Sequence, residues 1–294
     1  MLYVLSYQQP LLNKPIPLLD DLLIVIVLFR QSLVECASYQ SLVNAKGYAK
    51  NSPALLIYDN SPEPIDTTSL SSGLIYVHNP TNPGVSKAYN EAYKIARQLN
   101  KNWLLLVDQD TEFPSSILLD YSNAILANPQ INIFAPLLLD AKNLVSPFQM
   151  RLGRGNRIKA LKAGLYSIKQ FKMVNSGMLI SLDSFEKAGG YDERFALDYS
   201  DLSFLDRVFK NESYFALIPT QCSHDFSDTK DKPDLLTTLD RFKLFCKATC
   251  LYKEISIHSV ILVWIIIPRA FKLAFKMKNL RFISIGIKYI YKKV

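Results

Sequence analysis

The chain has 294 residues, 49% hydrophobic and 12% aromatic, which excludes a disordered protein and suffices for one large α/β domain or a domain with an appendage. Its net charge of +8 is uneven: residues 241–294 hold twelve Lys/Arg and one acid (Glu254), and residues 151–172 hold seven Lys/Arg and no acid, leaving the rest at −10. A basic tail and a basic loop on an acidic body point to anionic partners, either phosphorylated ligands or anionic membrane; no DNA or RNA motif argues for nucleic acid. The cysteines Cys36, Cys222, Cys246 and Cys250 form no Cys-x-x-Cys pair, which argues against structural zinc and fits a reducing compartment. Residues 1–20 lack a basic region followed by a long apolar run and carry Pro10, Pro15 and Pro17, so they do not read as a signal peptide. The expected location is cytoplasmic.

In chain order, Leu22 to Phe29 is an apolar, β-branched run that reads as a buried strand, followed by a helix over 31–46. Leu55 to Tyr58 predicts a second strand, ending in the turn Asp59-Asn60-Ser61-Pro62, and Leu74 to Val77 a third, ending in His78-Asn79-Pro80. After Asn82-Pro83-Gly84 a helix presents Val85, Ala88, Tyr89, Ala92, Ile95, Ala96 and Leu99 at helical spacing. Residues 103–107 form a fourth strand running into Asp108-Gln109-Asp110. A helix over 115–127 and a strand over 131–139 follow, then the basic, glycine-containing stretch 151–172, which reads as a mobile loop.

The apolar stretch 173–181 is interrupted by Asn175-Ser176-Gly177, and a short helix over 182–188 is closed by Gly189-Gly190. Beyond a helix reaching Asn211, Tyr214 to Ile218 is a short strand and 219–228 a polar loop with Cys222 and His224. A helix over 234–253 opens the tail. The apolar segment 255–267 is too short to span a bilayer, and 269–294 interleaves aromatic and aliphatic residues with Lys and Arg, as in helices lying on an anionic membrane surface.

Strands alternating with helices predict βαβ units in a mostly parallel sheet, whose ligands bind at the carboxyl ends of the strands. Three strands end there in polar residues: Asp59-Asn60, His78-Asn79 and Asp108-Gln109-Asp110. Two carboxylates at the end of a buried strand need a neutralising partner, and a divalent cation carrying phosphates supplies one. Asp110 is the leading candidate ligand, with Asp108 facing a ribose or a metal-bound water. Asp201 stands at a helix start, where a carboxylate is favoured, with Asp198 three residues before it. Arg151, Arg154 and Arg157 are candidate clamps for a phosphorylated ligand. Gly177 in Asn175-Ser176-Gly177 permits close approach of a ligand to the backbone.

These motifs resemble the inverting family 2 glycosyltransferases of the GT-A fold, in the rhamnosyltransferase-like branch, over roughly residues 20–228. Tyr58-Asp59-Asn60-Ser61 is similar to the family's Asp-Asn-x-Ser turn, and Asn82-Pro83-Gly84 with Asn90 to its helix start. Leu106-Val107-Asp108-Gln109-Asp110 is similar to its Asp-x-Asp motif, and Gly189-Gly190-Tyr191-Asp192-Glu193-Arg194-Phe195 to its Gly-Gly-Phe-Asp-Glu-Arg-Phe. Asp201 and Arg207 fall where the family has its acid and following Arg, and His224 where many members have a late His. Ser200 stands where the family has Glu, and Phe29-Arg30 where many members have a polar pair.

The resemblance implies a GT-A α/β fold, a mixed, mostly parallel sheet flanked by helices, over residues 1–233, with an amphipathic basic helical region over 234–294. It implies transfer of a sugar, first of all rhamnose from dTDP-rhamnose, onto a growing, lipid-linked bacterial surface polysaccharide on the inner face of the cell membrane. Mg²⁺ or Mn²⁺ would be held by Asp110 and His224, and the base for the acceptor hydroxyl would be Asp201 first and Asp198 second. Asn175-Ser176-Gly177 would line the sugar pocket, and Arg151, Arg154 and Arg157 would clamp the diphosphate or a phosphorylated lipid acceptor. Asp59, Asn60, Asn82, Gly84, Asp108, Gln109, Asn175, Gly177 and Arg207 would contact the nucleotide sugar. A UDP-hexose donor and an inactive membrane-associated scaffold are the alternatives. A methyltransferase would need a glycine-rich turn after the first strand, where Phe29-Arg30-Gln31-Ser32 has no glycine.

Overall fold

The computed structural model describes residues 17–48, 53–66, 74–151, 154–156, 158–224, 234–256 and 259–291. The first elements are α1 (Pro17–Asp20), β1 (Leu22–Leu28), α2 (Ala37–Val43), β2 (Ala54–Asp59), β3 (Leu74–His78), α3 (Val85–Gln98), β4 (Trp103–Asp108), β5 (Thr111–Glu112) and α4 (Ile117–Ala127). Next come β6 (Ile133–Asp140), β7 (Asn143–Ser146), β8 (Phe148–Arg151), β9 (Arg154–Asn156), β10 (Gly164–Ser167), β11 (Phe171–Lys172) and β12 (Met178–Ser181). They are followed by α5 (Leu182–Lys187), α6 (Ser200–Val208), β13 (Tyr214–His224), α7 (Leu235–Ser256), α8 (Ser259–Met277) and α9 (Arg281–Tyr291).

The main sheet runs β10-β13-β6-β12-β4-β1-β2-β3, with β5 added to β13 and β7 to β6. Along that path β13–β6, β4–β1, β1–β2 and β2–β3 are parallel. The pairs β10–β13, β6–β12 and β12–β4 are antiparallel, so the expected mixed, mostly parallel sheet is present. Every residue of β1 is buried. Its alternate side chains feed two cores: Leu23, Val25 and Val27 face one, and Leu22, Ile24, Ile26 and Leu28 the other. A strand covered on both faces has no solvent face to keep polar, which is why its sequence is uninterrupted by polar residues.

Helix α3 covers the first of these cores with Ala88, Tyr89, Ala92 and Ala96, three of them small enough to bring its axis close to the sheet. The strand order reverses direction at β1, between β2 on one side and β4 on the other. The crevice at that switch point therefore opens at the carboxyl ends of β1 and β4, where Arg30 and Asp108 lie.

Three stretches depart from the sequence expectation. The helix expected over 31–46 is confined to 37–43, because Ser32 and Glu35 bond to each other in a preceding turn and Cys36 caps the helix by accepting from the Tyr39 amide. The basic stretch 151–172 is not simply a loop. Its described residues add strands β9 and β11 to a three-stranded sheet with β8, while β10 pairs with β13. Tyr166 anchors it by packing on Phe171 and Phe215. Arg157 and the side chains of Arg151 and Arg154 lie outside the described residues.

The third departure is the expected polar loop after Ile218. It continues as strand to His224, with buried Thr220, Cys222 and His224 alternating with exposed residues. A register shift between Leu217 and Gln221 accommodates Pro219, which has no amide to give to the ladder. Residues 225–228 of that expected loop lie outside the described residues.

Helices α7, α8 and α9 share a core of Leu239, Phe242, Phe245, Cys246, Ile265, Ile266, Ala270, Ala274 and Phe282. Gly286 lets α9 approach α8, since a Cβ there would lie 3.2 Å from Ile266. The bundle also joins the sheet domain, where Ala248 and Tyr252 of α7 pack with Phe195 and Leu202.

Candidate functional site

The acidic turn after β4 is built by hydroxyl groups. Ser38, fully buried on α2, places its Oγ between the carbonyls of Asp108 and Thr111 and accepts from the Thr111 amide at 3.0 Å. The Asp108 amide donates to Ser176 Oγ at 3.0 Å, Ser176 Oγ lies 2.6 Å from Thr111 Oγ1, and Thr111 Oγ1 lies 2.6 Å from His224 Nδ1. Tyr89 donates to Asp108 Oδ1 at 2.9 Å. His224 arrives because β13 extends to pair with β5, setting His224 opposite Thr111.

Asp108, Asp110 and His224 each offer a ligand atom, and these atoms lie within 4.8 Å of one another. His224 Nδ1 is 3.5 Å from Asp110 Oδ1. Burial, helped by the Asp110 charge, pushes the Asp108 carboxyl up to about 6. Two carboxylates, one of them raised in pKa, with one imidazole beside them are a donor set that a divalent cation would relieve. The residues present therefore fit Mg²⁺ or Mn²⁺.

Both candidate bases lie at the start of α6, and the structure separates them. Burial pushes the Asp201 carboxyl up to about 7 against the opposing hydrogen bond from the Leu202 amide (2.7 Å), with the Asp108 and Asp198 charges adding to the rise. Asp198 instead faces the tail, where Arg241 of α7 grips both its oxygens, Nη2 to Oδ1 at 3.0 Å and Nη1 to Oδ2. Between them Tyr199 is left-handed at φ 64° and stacks on Tyr252 of α7 at 4.9 Å. Ser200 accepts from Asn175 Nδ2 at 3.2 Å, and Asn175 Oδ1 accepts from Tyr191 at 2.7 Å.

Several residues expected at the ligand also have work within the fold. Asp59 is 0% exposed and its oxygens accept from the Ser61 amide, the Ile65 amide and the Tyr76 hydroxyl, so it shapes the 61–65 loop. Gly84 uses its φ of 93° to let the chain touch Ala196, whose carbonyl oxygen would lie 2.1 Å from a Cβ. Asn82 is exposed in a left-handed turn before it. Asn90 clamps the Gly190-Tyr191 turn from the next helical turn, accepting from the Tyr191 amide and donating to its carbonyl.

Gln109 points back to β1 and pairs with the Phe29 backbone, accepting from its amide at 2.7 Å, which bridges the switch-point crevice. Gly177 packs on Pro136, and Asn175 is held between Tyr191 and Ser200. Asn60 Oδ1 and Arg207 Nη2 are buried with no hydrogen-bond partner among the described residues, so each keeps bonding capacity to offer. Burial holds the Arg207 guanidinium below its ordinary pKa, against the nearby Asp192.

A cleft of about 400 Å³ opens beside the Asp59 loop at the ends of β1 and β2, lined by Arg30, Gln31, Ser32, Ser61, Pro62, Glu63, Ile65 and Asp66. Sequence reasoning missed Ser38, Tyr89, Thr111 and Arg241 as parts of this network, whereas Ser176 lies in the Asn175-Ser176-Gly177 stretch it singled out. Only Thr111, adjoining the acidic turn, carried a positional signal.

No protein-family model matches the chain, and no curated protein sequence matches it. Among solved structures, S. aureus TarS 1-349 is similar with a TM-score of 0.53 and 13% identity, over 83% of this chain and 65% of that one. GalNAc-T7 with UDP, GalNAc and Mn²⁺ is similar with a TM-score of 0.54 and 13% identity, over 91% of this chain and 57% of that one. The chain thus spans less than two thirds of either neighbour, and the likeness is one of fold. The architecture is the GT-A fold, with three further helices after the sheet domain.

Proposed function

We propose that the chain is an inverting, metal-dependent glycosyltransferase of the hexosyltransferase class and of family 2 type. It would move a sugar from a nucleotide-diphosphate donor to a growing, lipid-linked bacterial surface polysaccharide. The observation that carries this reading is the gathering of Asp108, Asp110 and His224 within 4.8 Å at the switch-point end of the sheet. Asp201, pushed up to about 7, stands near enough to feel the Asp108 charge. The GT-A fold supports the same reading, and one solved neighbour of that fold carries UDP and Mn²⁺.

Asp108, Asp110 and His224 would hold the cation, and the imidazole weighs toward Mn²⁺ over the oxygen-seeking Mg²⁺. A cation bound there supplies neutralisation of the charge that develops on the leaving diphosphate. The base of the nucleotide would occupy the cleft lined by Arg30, Gln31 and Ser61, with the unsatisfied Asn60 Oδ1 close by in sequence. Arg207, with an unspent Nη2 near Tyr191 and Asp192, would bind the donor.

In the reaction the acceptor hydroxyl oxygen bonds to the anomeric carbon as the carbon–phosphate oxygen bond breaks. The hydroxyl proton passes to Asp201, and the electron pair leaves with the nucleoside diphosphate. A carboxylate with a pKa near 7 is a stronger base than an ordinary one and is still about half ionised at neutral pH. Single displacement inverts the anomeric centre. The catalytic unit would span residues 1–233, with 234–294 as an appended helical region.

The Asp108-Gln109-Asp110 form supports dTDP-rhamnose as the first donor to test, with UDP-hexoses as the alternative. The test is a donor screen by thermal shift with Mn²⁺, comparing dTDP-rhamnose with UDP-sugars on the wild type and Asp110→Ala. A cation-dependent rise in Tm with one donor, lost in Asp110→Ala, is expected. No rise with any nucleotide sugar would overturn the reading.

A further inference from the structure

The outward face of α8 has no partner within the described residues, and its chemistry is specific. Trp264, Phe271 and Phe275 are 68%, 56% and 89% exposed. They fall roughly two and three turns apart, so they form one narrow stripe. The opposite side of the helix buries Ile266, Ala270 and Ala274 against α7 and α9. The stripe is therefore not the side that the bundle needs for folding. Leaving three aromatic residues in water on a packed helix is unfavourable unless something covers them.

The covering surface is indicated by charge. Lys272, Lys276 and Lys278 are exposed around the stripe, and the region 241–294 has twelve Lys/Arg against one acid. A second copy docking through this face would bring two strongly positive surfaces together. Among the described residues no helix is long and apolar enough to cross a membrane. We propose that the Trp264–Phe271–Phe275 stripe and its flanking lysines dock α8 flat on an anionic phospholipid surface, the rings entering the interface and the ammonium groups meeting the headgroups.

The proposal has a consequence for orientation. Arg241, Phe245 and Tyr252, on the helix against which α8 packs, contact the Asp198–Tyr199 segment beside Asp201. Docking would hold that side of the sheet domain near the lipid surface, where a membrane-anchored acceptor would be presented. The docking itself does not depend on the transferase reading.

The experiment is co-sedimentation of the full chain with phosphatidylcholine vesicles, with and without phosphatidylglycerol. The chain should pellet with the anionic vesicles and be released at high salt. Each of Lys272→Ala, Lys276→Ala and Lys278→Ala should lower the partition coefficient about fivefold. Phe271→Ser with Phe275→Ser should lower it about tenfold or more, with the circular dichroism spectrum and Tm unchanged because these side chains are exposed. A chain that stays in the supernatant with anionic vesicles overturns the proposal. Pelleting that none of these substitutions weakens also overturns it. So does a dimer that Phe275→Ser breaks while no vesicle binding is seen, which would assign the stripe to a second copy.

Discussion

Arg241 holds Asp198 by both carboxylate oxygens, and Asp198 lies three residues before Asp201. The contact ties a helix of the basic tail to the start of α6, where the left-handed Tyr199 turns the chain into the site. It also distinguishes the two acids by their surroundings. Asp198 is committed to a guanidinium, whereas Asp201 is desolvated and raised toward neutrality.

Arg241→Ala should therefore lower transfer by about 10–100-fold through misplacement of Asp201, with donor affinity nearly unchanged. The readout is a fall in kcat without a matching change in donor KM. Loss of the charged hydrogen bonds should cost about 1.5–3 kcal/mol of stability. A double-mutant cycle with Asp198→Ala should show coupling between the two positions, because they share one contact.

Asp201→Asn should reduce transfer by about 10²–10⁴-fold while donor binding persists. In the wild type, kcat/KM should rise with pH as the carboxyl ionises and level off above about 7. The stability dependence has the opposite sign. The folded-state pKa of about 7 lies above the ordinary 3.8, so folding favours the protonated acid. That contribution is fully present below the ordinary value and is lost as pH rises through about 7. Asp201→Asn, neutral throughout, should melt above the wild type at about pH 8 and close to it at about pH 3, where the acid is protonated in the folded and the unfolded chain alike. Thermal melts at the two pH values check this.

Thr111→Val keeps the shape of the side chain and removes the hydroxyl that joins Ser176 to His224. Groups that orient a metal-binding histidine are typically worth about 10–100-fold in affinity. Titration calorimetry with Mn²⁺ should show a loss of that order, and transfer at saturating Mn²⁺ should recover most of the wild-type rate. Unchanged Mn²⁺ affinity would show that the hydroxyl relay does not orient His224.

Gly84→Ala and Gly189→Ala separate two uses of glycine. Both positions have positive φ, 93° and 75°, but a Cβ at Gly84 would lie 2.1 Å from the Ala196 oxygen, while one at Gly189 meets nothing within 4 Å. Gly189→Ala should cost about 1–2 kcal/mol, the left-handed penalty alone. Gly84→Ala should cost at least twice as much, because backbone must move to relieve the clash. Denaturant titration of both variants measures the difference.

The sequence by itself determined the elements whose cause is local. Leu22–Leu28 is apolar at every position because both its faces are buried, and α3 shows its sheet-facing side at every helical turn. The acids Asp108 and Asp110 and the helix-starting Asp201 were legible because a carboxylate at the end of a buried element is unusual wherever it occurs. The tertiary structure decided everything that depends on residues distant in sequence. Ser38 reaches Asp108 across 70 positions, Thr111 reaches His224 across 113, and Arg241 reaches Asp198 across 43. A serine, a threonine or an arginine in the chain carries no mark of the partner it will meet. Strand pairing and helix packing bring these groups together, and that is why Gln109 became a bridge to β1, Asp59 a loop anchor, and His224 the end of a strand rather than part of a loop.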